Sequence, residues 1–316
     1  PCRRPAPAPL DPPRLAEVAV AATGLDDLGA PPWQDGLGRL CADLDASARL
    51  NEIGRVAAET DLVGYLTNRL QVLDWRRTHP AVADVEVVRP IVIVGQPRTG
   101  TTILYDLLAQ DPTMRAPLSW EVDRPVPPPR TETYDTDPRI AEVDAVLAMA
   151  DVVVPGFTDF HPMGARLAQE CVRITGGDFR SMIFPTQYWL PAYDRWLMHD
   201  CDMAPAYAWH RIVLQHLASE HMADRWLLKS PAHLWHLGAL LAEYPDAVVV
   251  QTHRDPLRVI ASISALATHL RRMTSDDPSL RDAAAAYAEE MFDGLDRSTA
   301  ARDDGALPAA QVIDVR

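Results

Sequence analysis

Residues 91–102 of the chain read IVIVGQPRTGTT. The first four are β-branched and apolar, and Pro90 and Gly95 bound them. Such a run is typical of a strand that is buried on both faces of a parallel sheet. A helix is predicted over residues 101–110, and Asp111 with Pro112 ends it. A strand, a tight loop and a helix in this order predict the first half of a βαβ unit.

The loop between this strand and its helix has the spacing of a phosphate-binding loop. Gly95 and Gly100 take the two glycine positions of G-x-x-x-x-G-K-[ST], and Thr101 stands where that pattern has lysine. Glycines let the backbone curl around an oxyanion, while Thr101 and Thr102 add hydroxyl donors and Arg98 adds a guanidinium. Because the missing lysine reaches the β- and γ-phosphates of a triphosphate, its replacement favours a shorter anion.

A second candidate anion site follows the clearest predicted strand of the chain, residues 247–252. Arg254 comes directly after this strand, and Ser262 lies eight residues later on a helix predicted over residues 258–273. Ligands of open α/β sheets bind at the carboxyl ends of the strands. An arginine and a serine that converge there suit a phosphate. The alternative interpretation is an ion pair between Arg254 and Asp255, with Ser262 as an ordinary helix residue.

Composition excludes several classes of protein. Of 316 residues, 47% are hydrophobic, and the net charge of −14 disfavours non-specific nucleic-acid binding. No apolar run reaches the roughly 18 residues of a membrane span, and the N-terminus lacks the apolar segment of a secretory signal. The four cysteines have no C-x-x-C spacing. We therefore expect reduced thiols, no structural zinc site and a cytoplasmic protein.

The remaining chain is predicted to be mainly helical. We divide it into a flexible lead-in (1–14), a helical N-terminal region (15–80) and an α/β core (81–316). Further helices are predicted over residues 140–150, 166–174, 205–222 and 234–244, and short strands over 226–229 and 311–315. The proline-rich residues 125–138 predict a long surface loop of the kind that often serves as a lid.

Together these motifs resemble those of the sulfotransferases that use 3′-phosphoadenosine 5′-phosphosulfate (PAPS), whose 5′-phosphosulfate loop has the form P-[KR]-[ST]-G-[ST]-[ST]. The bacterial branch matches through IVGQPRTGTT (93–102), RWLLKSPAHL (225–234) and VVVQTHRDP (248–256). The resemblance implies a P-loop-like parallel sheet flanked by helices, with a helical N-terminal elaboration. The PAPS-binding residues that it implies are Gly95, Pro97, Arg98, Thr99, Gly100, Thr101, Thr102, Arg254 and Ser262.

The resemblance also implies the reaction. A sulfuryl group would pass in line from PAPS to a hydroxyl or amine of a small acceptor, lipophilic acceptors included, and leave 3′-phosphoadenosine 5′-phosphate (PAP). By analogy with phosphoryl transfer, catalysis is mostly positioning and electrostatics and needs no metal. Arg98 would hold the leaving group. Lys229, the only lysine of the chain, would stabilise the sulfonate charge at another strand end. The expected partner is the small acceptor, and a homo-oligomer is left open.

The general base has three candidates. Glu121 follows the first helix of the βαβ unit, where some family members have a catalytic glutamate. His161 is the second candidate because other members use histidine, and His233 is the third because it follows Lys229 closely. A salt bridge for Glu121 and structural roles for both histidines are the alternatives. Glu170 is expected to begin a helix and to pair with an active-site arginine.

Two further functions are considered beside this one. A metal-dependent P-loop kinase or NTPase is disfavoured by the absent loop lysine and by the lack of a Walker B acid. A non-catalytic nucleotide-binding module would keep the fold without turnover. Family members usually continue for several dozen residues beyond the strand at 311–315, and the chain does not begin with Met. We therefore expect this chain to be a shortened form or a fragment.

Overall fold

The structure is a computed structural model that describes residues 8–153, 162–221 and 224–316. Three helices precede the first strand: α1 (Pro12–Thr23), α2 (Trp33–Ala46) and α3 (Glu52–Thr78). The Asn51 side chain caps α3 by accepting a 2.7 Å hydrogen bond from the Gly54 N–H, which satisfies one of the amides that a helix start leaves unpaired. The helical N-terminal elaboration that was predicted with the fold class is confirmed.

The centre of the molecule is a five-stranded, all-parallel sheet. Its strands are β1 (Ile91–Gly95), β2 (Met114–Arg115), β3 (Arg225–Lys229), β4 (Val248–Thr252) and β5 (Val312–Val315). They lie in the order β2-β3-β1-β4-β5. The first strand therefore runs between β3 and β4, and the carboxyl ends of all three meet at one edge of the sheet. Ligands bind at such an edge in open parallel sheets.

Helices flank the sheet and fill the long connections between its strands, which confirms the predicted fold class. Among the described residues they are α4 (Thr101–Leu108), α5 (Ser119–Asp123), α6 (Pro138–Val153), α7 (Cys171–Thr175), α8 (Ile183–Gln187), α9 (Pro191–His199), α10 (Ala204–Ala218), α11 (Leu237–Glu243), α12 (Pro256–Arg271) and α13 (Leu280–Asp303). In the described part of the chain, none of the helices is both long and apolar enough for a bilayer span.

Strand β1 is buried on both faces, as its sequence predicts. Val92 and Val94 join the large hydrophobic cluster that also contains Leu66 and Leu70 of α3. Their neighbours in the strand, Ile91 and Ile93, join a smaller cluster with Tyr105 of α4. The alternation follows from the two-residue period of a strand. Through the large cluster, the N-terminal helices and the sheet share one hydrophobic core.

The predicted helix over residues 166–174 is wrong for most of its length. Residues 166–170 instead form a turn and a short backbone pairing: the Ser119 N–H donates to Leu167 O at 3.0 Å, and the Gln169 N–H donates to Pro117 O at 2.7 Å. Only from Cys171 is the chain helical. These tertiary hydrogen bonds override the local preference, and they fix Glu170 directly before α7.

Helix α13 was not predicted. Its buried positions recur at helical spacing, at Ala283, Tyr287, Met291, Gly294 and Ser298. Three of these five side chains are small or polar, so the apolar periodicity on which the sequence prediction depends is weak.

Candidate functional site

The first feature of the site is the close fit of the phosphate loop against β4. Gly95 has φ 138°, and a Cβ at this position would lie 2.4 Å from Thr252 Oγ1. The Thr99 hydroxyl bonds to the same Thr252 hydroxyl at 2.6 Å and donates to Gln96 O at 2.6 Å. Gly95 and Thr99 therefore hold the loop to the sheet, and only glycine fits at the first of them.

The loop itself is curled by two residues in the left-handed conformation. Arg98 has φ 67° and Gly100 has φ 93°. Left-handed backbone is costly for a residue with a side chain and is found most often at functional sites. Helix α4 begins at Thr101, where first-turn amides lack intrahelical partners and carry partial positive charge. Turned amides of this kind form an anion-binding concavity.

The two predicted anion motifs meet in space. Arg98 Nε donates to Ser262 Oγ at 3.0 Å, and Arg254 Nη1 donates to the Arg98 carbonyl oxygen at 2.8 Å. Among the described residues, neither guanidinium has a carboxylate partner within 4 Å. The alternative pairing of Arg254 with Asp255 is not found, because Asp255 instead caps α12 by accepting from the Leu257 N–H at 2.9 Å. Two adjacent guanidiniums in a chain of net charge −14 make a concentrated site for an anion.

Lys229 and Glu170 form an ion pair beside this loop. Lys229 ends β3, its side chain is 2% exposed, and its ammonium donates to Glu170 Oε1. The same Nζ lies 3.5 Å from Thr102 Oγ1 and 5.6 Å from the ring centroid of Tyr105. The expected arginine partner of Glu170 is thus a lysine, because the carboxyl end of β3 faces the start of α7. The ion pair links the phosphate loop to a carboxylate that is 24% exposed.

A cleft of 560 Å³ opens over these groups. Pro97, Arg98, Gly100, Thr101, Thr102 and Arg254 line it on the side of the loop, together with Glu170. Met182, Ile183, Ile263, Leu266, Leu270 and Met273 make its wall largely apolar elsewhere. A concave, mostly apolar site with a few polar groups is typical of small-molecule binding.

The structure does not bring Glu121 to this cleft. Its side chain is fully buried, and it accepts hydrogen bonds from Arg115, from the Leu118 N–H at 2.7 Å and from the Tyr134 hydroxyl at 3.2 Å. Burial raises the pKa of this carboxyl, although the Arg115 guanidinium opposes the shift. These contacts hold the start of α5 in place, which corresponds to the salt-bridge alternative for Glu121.

His233 is also enclosed in the protein. Its side chain is buried, and its Nδ1 is 2.9 Å from the Tyr207 hydroxyl. Desolvation by burial, with smaller contributions from His210 and His236, lowers its pKa well below the usual value. His161 lies outside the described residues. Within the described ranges, no group of three or more His, Cys, Asp or Glu side chains is arranged to hold a metal ion.

Among the residues that sequence analysis did not assign to catalysis, Glu170 is the one that the geometry singles out. It borders the cleft and touches Lys229, which in turn reaches the loop hydroxyl of Thr102. The signal available in the sequence was the single lysine at a strand end. A buried ammonium needs an acidic partner, but the chain does not say which carboxylate supplies it.

Two solved structures that are similar to this chain are mycobacterial sulfotransferases. The crystal structure of sulfotransferase STF1 from Mycobacterium tuberculosis H37Rv is 33% identical with a TM-score of 0.86, covering 97% of this chain and 84% of that chain. The structure of sulfotransferase STF9 from Mycobacterium avium is 28% identical with a TM-score of 0.87, covering 99% of this chain and 80% of that chain.

Among curated proteins, the omega-hydroxy-beta-dihydromenaquinone-9 sulfotransferase Stf3 of M. bovis and M. tuberculosis is 26% identical over 211 residues. The match covers 66% of this chain and 50% of the relative, so the chain spans about half the length of the curated relatives it matches.

The family itself follows from a match over most of the chain. The sequence model described as "Sulfotransferase family" matches residues 90–316. This range begins just before β1 and includes the phosphate loop, Glu170, Lys229, Arg254 and Ser262. The chain belongs to the sulfotransferase family.

Proposed function

We propose that this protein transfers a sulfuryl group from PAPS to the hydroxyl of a small lipophilic acceptor. The observation that carries the proposal is the convergence of Arg98, Ser262 and Arg254 at the loop, beside the Lys229–Glu170 pair. An amine is the second acceptor class. Every residue used in the proposal falls within the proposed core, residues 81–316.

The residues present fit PAPS, which carries a 5′-phosphosulfate and a separate 3′-phosphate. The left-handed turn at Arg98 and Gly100 and the start of α4 would receive the 5′ end. Arg254 and Ser262 would receive the 3′-phosphate through charge-assisted hydrogen bonds. The Arg98 side chain already contacts the proposed 3′-phosphate site, since its Nε donates to Ser262 Oγ at 3.0 Å.

When bound, PAPS supplies the sulfuryl group and departs as PAP. We assign the general base to Glu170 instead of Glu121 because it borders the cleft and is partly exposed. The acceptor oxygen forms its bond to sulfur, the bond from sulfur to the 5′-phosphate oxygen breaks, and the acceptor proton passes to Glu170. Once Glu170 is protonated, the charge of Lys229 is released from its ion pair and stabilises the leaving oxygen together with the Thr102 hydroxyl.

The acceptor half of the cleft favours an apolar molecule. Leu266, Leu270 and Met273 follow one face of α12 and its end, and Met182 and Ile183 also line the cleft. Burial of an apolar acceptor there is favourable by roughly 25 cal/mol per Å². The curated relatives are named for sulfation of a hydroxylated menaquinone, which supports a lipophilic alcohol here.

The test is transfer of label from [³⁵S]PAPS to a panel of aliphatic and isoprenoid alcohols and the matching amines. The proposal expects an organic sulfate ester to form with at least one alcohol, and label transfer to fail in Glu170→Gln. Binding of PAP without transfer to any acceptor would instead favour a non-catalytic nucleotide-binding module.

A further inference from the structure

A second cavity, of 270 Å³, lies beside the cleft, and none of the residues assigned above to PAPS lines it. Residues of α3, α5, α6, α7 and α10 line it. Much of its wall is apolar, with Tyr65, Val72, Val122, Val143, Trp209 and Val213 among the lining residues. A cavity of this size and lining suits the apolar part of a ligand.

The two cavities adjoin at Arg173, whose side chain borders both. On α6, Leu147 borders the cleft while Val143 borders the second cavity. On α7, Val172 borders the cleft and Ile174 the second cavity. The same two helices therefore form the boundary, and one arginine side chain stands between the two spaces.

The charges around the second cavity balance. Arg173 pairs with Asp123, and Arg124 and Asp61 also border the cavity. Burial raises the pKa of the Asp61 carboxyl, although Arg173 opposes this. With two arginines and two acidic residues, the lining of the cavity has no net charge. A charged ligand would therefore find no opposite charge to pair with. A neutral occupant fits best, because it does not have to lose hydration of its own charge.

Helix α6 presents apolar side chains to solvent next to this boundary. Val146 lines the second cavity and is 62% exposed, and Met149 and Val152 on the same helix are more than half exposed. Exposed apolar groups clustered at a cavity are typical of a ligand-binding surface.

We propose that the second cavity holds the distal, apolar end of the acceptor while its hydroxyl lies at Glu170. The proposal rests on the proposed function and narrows it: the acceptor is an elongated neutral amphiphile with a hydroxyl at one end of an apolar chain. The 560 Å³ cleft must hold the nucleotide as well as the reacting end of the acceptor, so a long chain needs the additional space beyond Arg173.

Gly64 provides a substitution that fills the second cavity. It lies on α3, lines the cavity, and a Cβ added there meets nothing within 4 Å. Gly64→Phe would therefore occupy the cavity without displacing neighbours at its base. Gly238→Phe is the matched control: Gly238 is also helical, is exposed, has the same free space at Cβ and borders neither cavity. Both changes replace a poor helix former.

The test measures equilibrium binding of radiolabelled hexan-1-ol and dodecan-1-ol, with and without PAP. Wild-type protein is expected to bind dodecan-1-ol more tightly than hexan-1-ol. Gly64→Phe should weaken dodecan-1-ol binding at least tenfold and leave hexan-1-ol binding within twofold, whereas Gly238→Phe should change neither. Equal binding of dodecan-1-ol by Gly64→Phe and wild type would overturn the proposal, as would wild-type protein that does not favour the longer chain.

This measurement is independent of sulfuryl transfer. A failed transfer assay with intact chain-length preference would count against the proposed function and leave the second cavity's role standing. Transfer to short alcohols, combined with dodecan-1-ol binding that Gly64→Phe does not change, would support the proposed function and count against the proposed role of the second cavity.

Discussion

The buried ammonium of Lys229 is bonded to the carboxylate of Glu170 and lies 3.5 Å from the Thr102 hydroxyl of the phosphate loop. The strand end of β3, the first turn of α4 and the residue before α7 thus meet at one point. The pair combines a group that can accept a proton with a cation that can stabilise developing negative charge. The proposed sulfuryl transfer uses both groups.

Replacing Glu170 by Gln should abolish most turnover without loss of nucleotide binding. A general base contributes about 10²- to 10⁴-fold, so we expect kcat to fall at least about 100-fold while the Kd for PAP stays within a few-fold. The measurement is initial-rate kinetics with [³⁵S]PAPS beside PAP titration. Glu121→Gln is the control: it should destabilise the fold by about 3 kcal/mol, because it leaves Arg115 buried without its charge partner. The assignment to Glu170 is contradicted if Glu121→Gln, assayed where it is folded, is the variant that loses kcat.

Arg254→Ala should weaken PAP binding by about 10- to 100-fold. A hydrogen bond to a charged group contributes roughly 1.5–3 kcal/mol, and this guanidinium also orients the loop through the Arg98 carbonyl. Isothermal titration with PAP measures the effect. Arg258→Ala removes an exposed arginine in the first turn of α12 and should leave the affinity within about twofold. Similar losses in both variants would point to general electrostatics and not to a 3′-phosphate site.

Gly95→Ala should destabilise the protein by about 2 kcal/mol or more. The added Cβ would lie 2.4 Å from Thr252 Oγ1 and 2.8 Å from Thr252 O, at a φ that side chains rarely adopt. Urea unfolding measures the change. Gly238→Ala, in open space on a helix, should instead stabilise by up to about 1 kcal/mol. If Gly95→Ala left the free energy of unfolding unchanged, the loop would not be held against β4 as described.

Acid should destabilise the fold through buried histidines. Burial lowers the pKa of His210 to about 3 and the pKa values of His216 and His236 to about 4. Below pH 6.5 the unfolded chain takes up protons that the folded chain refuses, so stability falls as the pH drops from about 6.5 towards 4. At pH 5, each of these three histidines should lower the free energy of unfolding by about 2 kcal/mol.

The test compares urea unfolding at pH 7 and pH 5 in wild type and in His216→Gln. Between the two pH values, the free energy of unfolding should fall by about 2 kcal/mol less in the variant than in wild type. An unchanged pH dependence in His216→Gln would show that this histidine is protonated in the folded state.

The parts of the site that the sequence predicted are those set by local rules. The run Ile91 to Val94 and the glycines that follow specify a strand and a curled loop within a dozen residues. Arg254 and Ser262 were expected to form a second anion site at the carboxyl end of their strand. That each of them contacts Arg98 of the phosphate loop is shown only by the structure.

The general base could not be predicted in the same way. Glu121 and Glu170 both stand at the start of a short helix, and nothing local distinguishes them. Their environments differ because backbone hydrogen bonds between residues 117–120 and 165–169 turn Glu121 inward onto Arg115 and leave Glu170 beside Lys229. That pairing joins segments about 50 residues apart, and so it is a property of the fold.

The most direct test of the central claim is thermal unfolding with saturating PAP and, separately, with Mg-ATP. Ligand at about 100 times its Kd stabilises the native state by roughly 2.7 kcal/mol, which should raise the Tm by about 5 °C. We predict this shift with PAP, its loss in Arg98→Ala and Arg254→Ala, and no comparable shift with Mg-ATP. A shift with Mg-ATP alone would contradict the assignment of the cleft to PAPS and favour a metal-dependent P-loop kinase or NTPase.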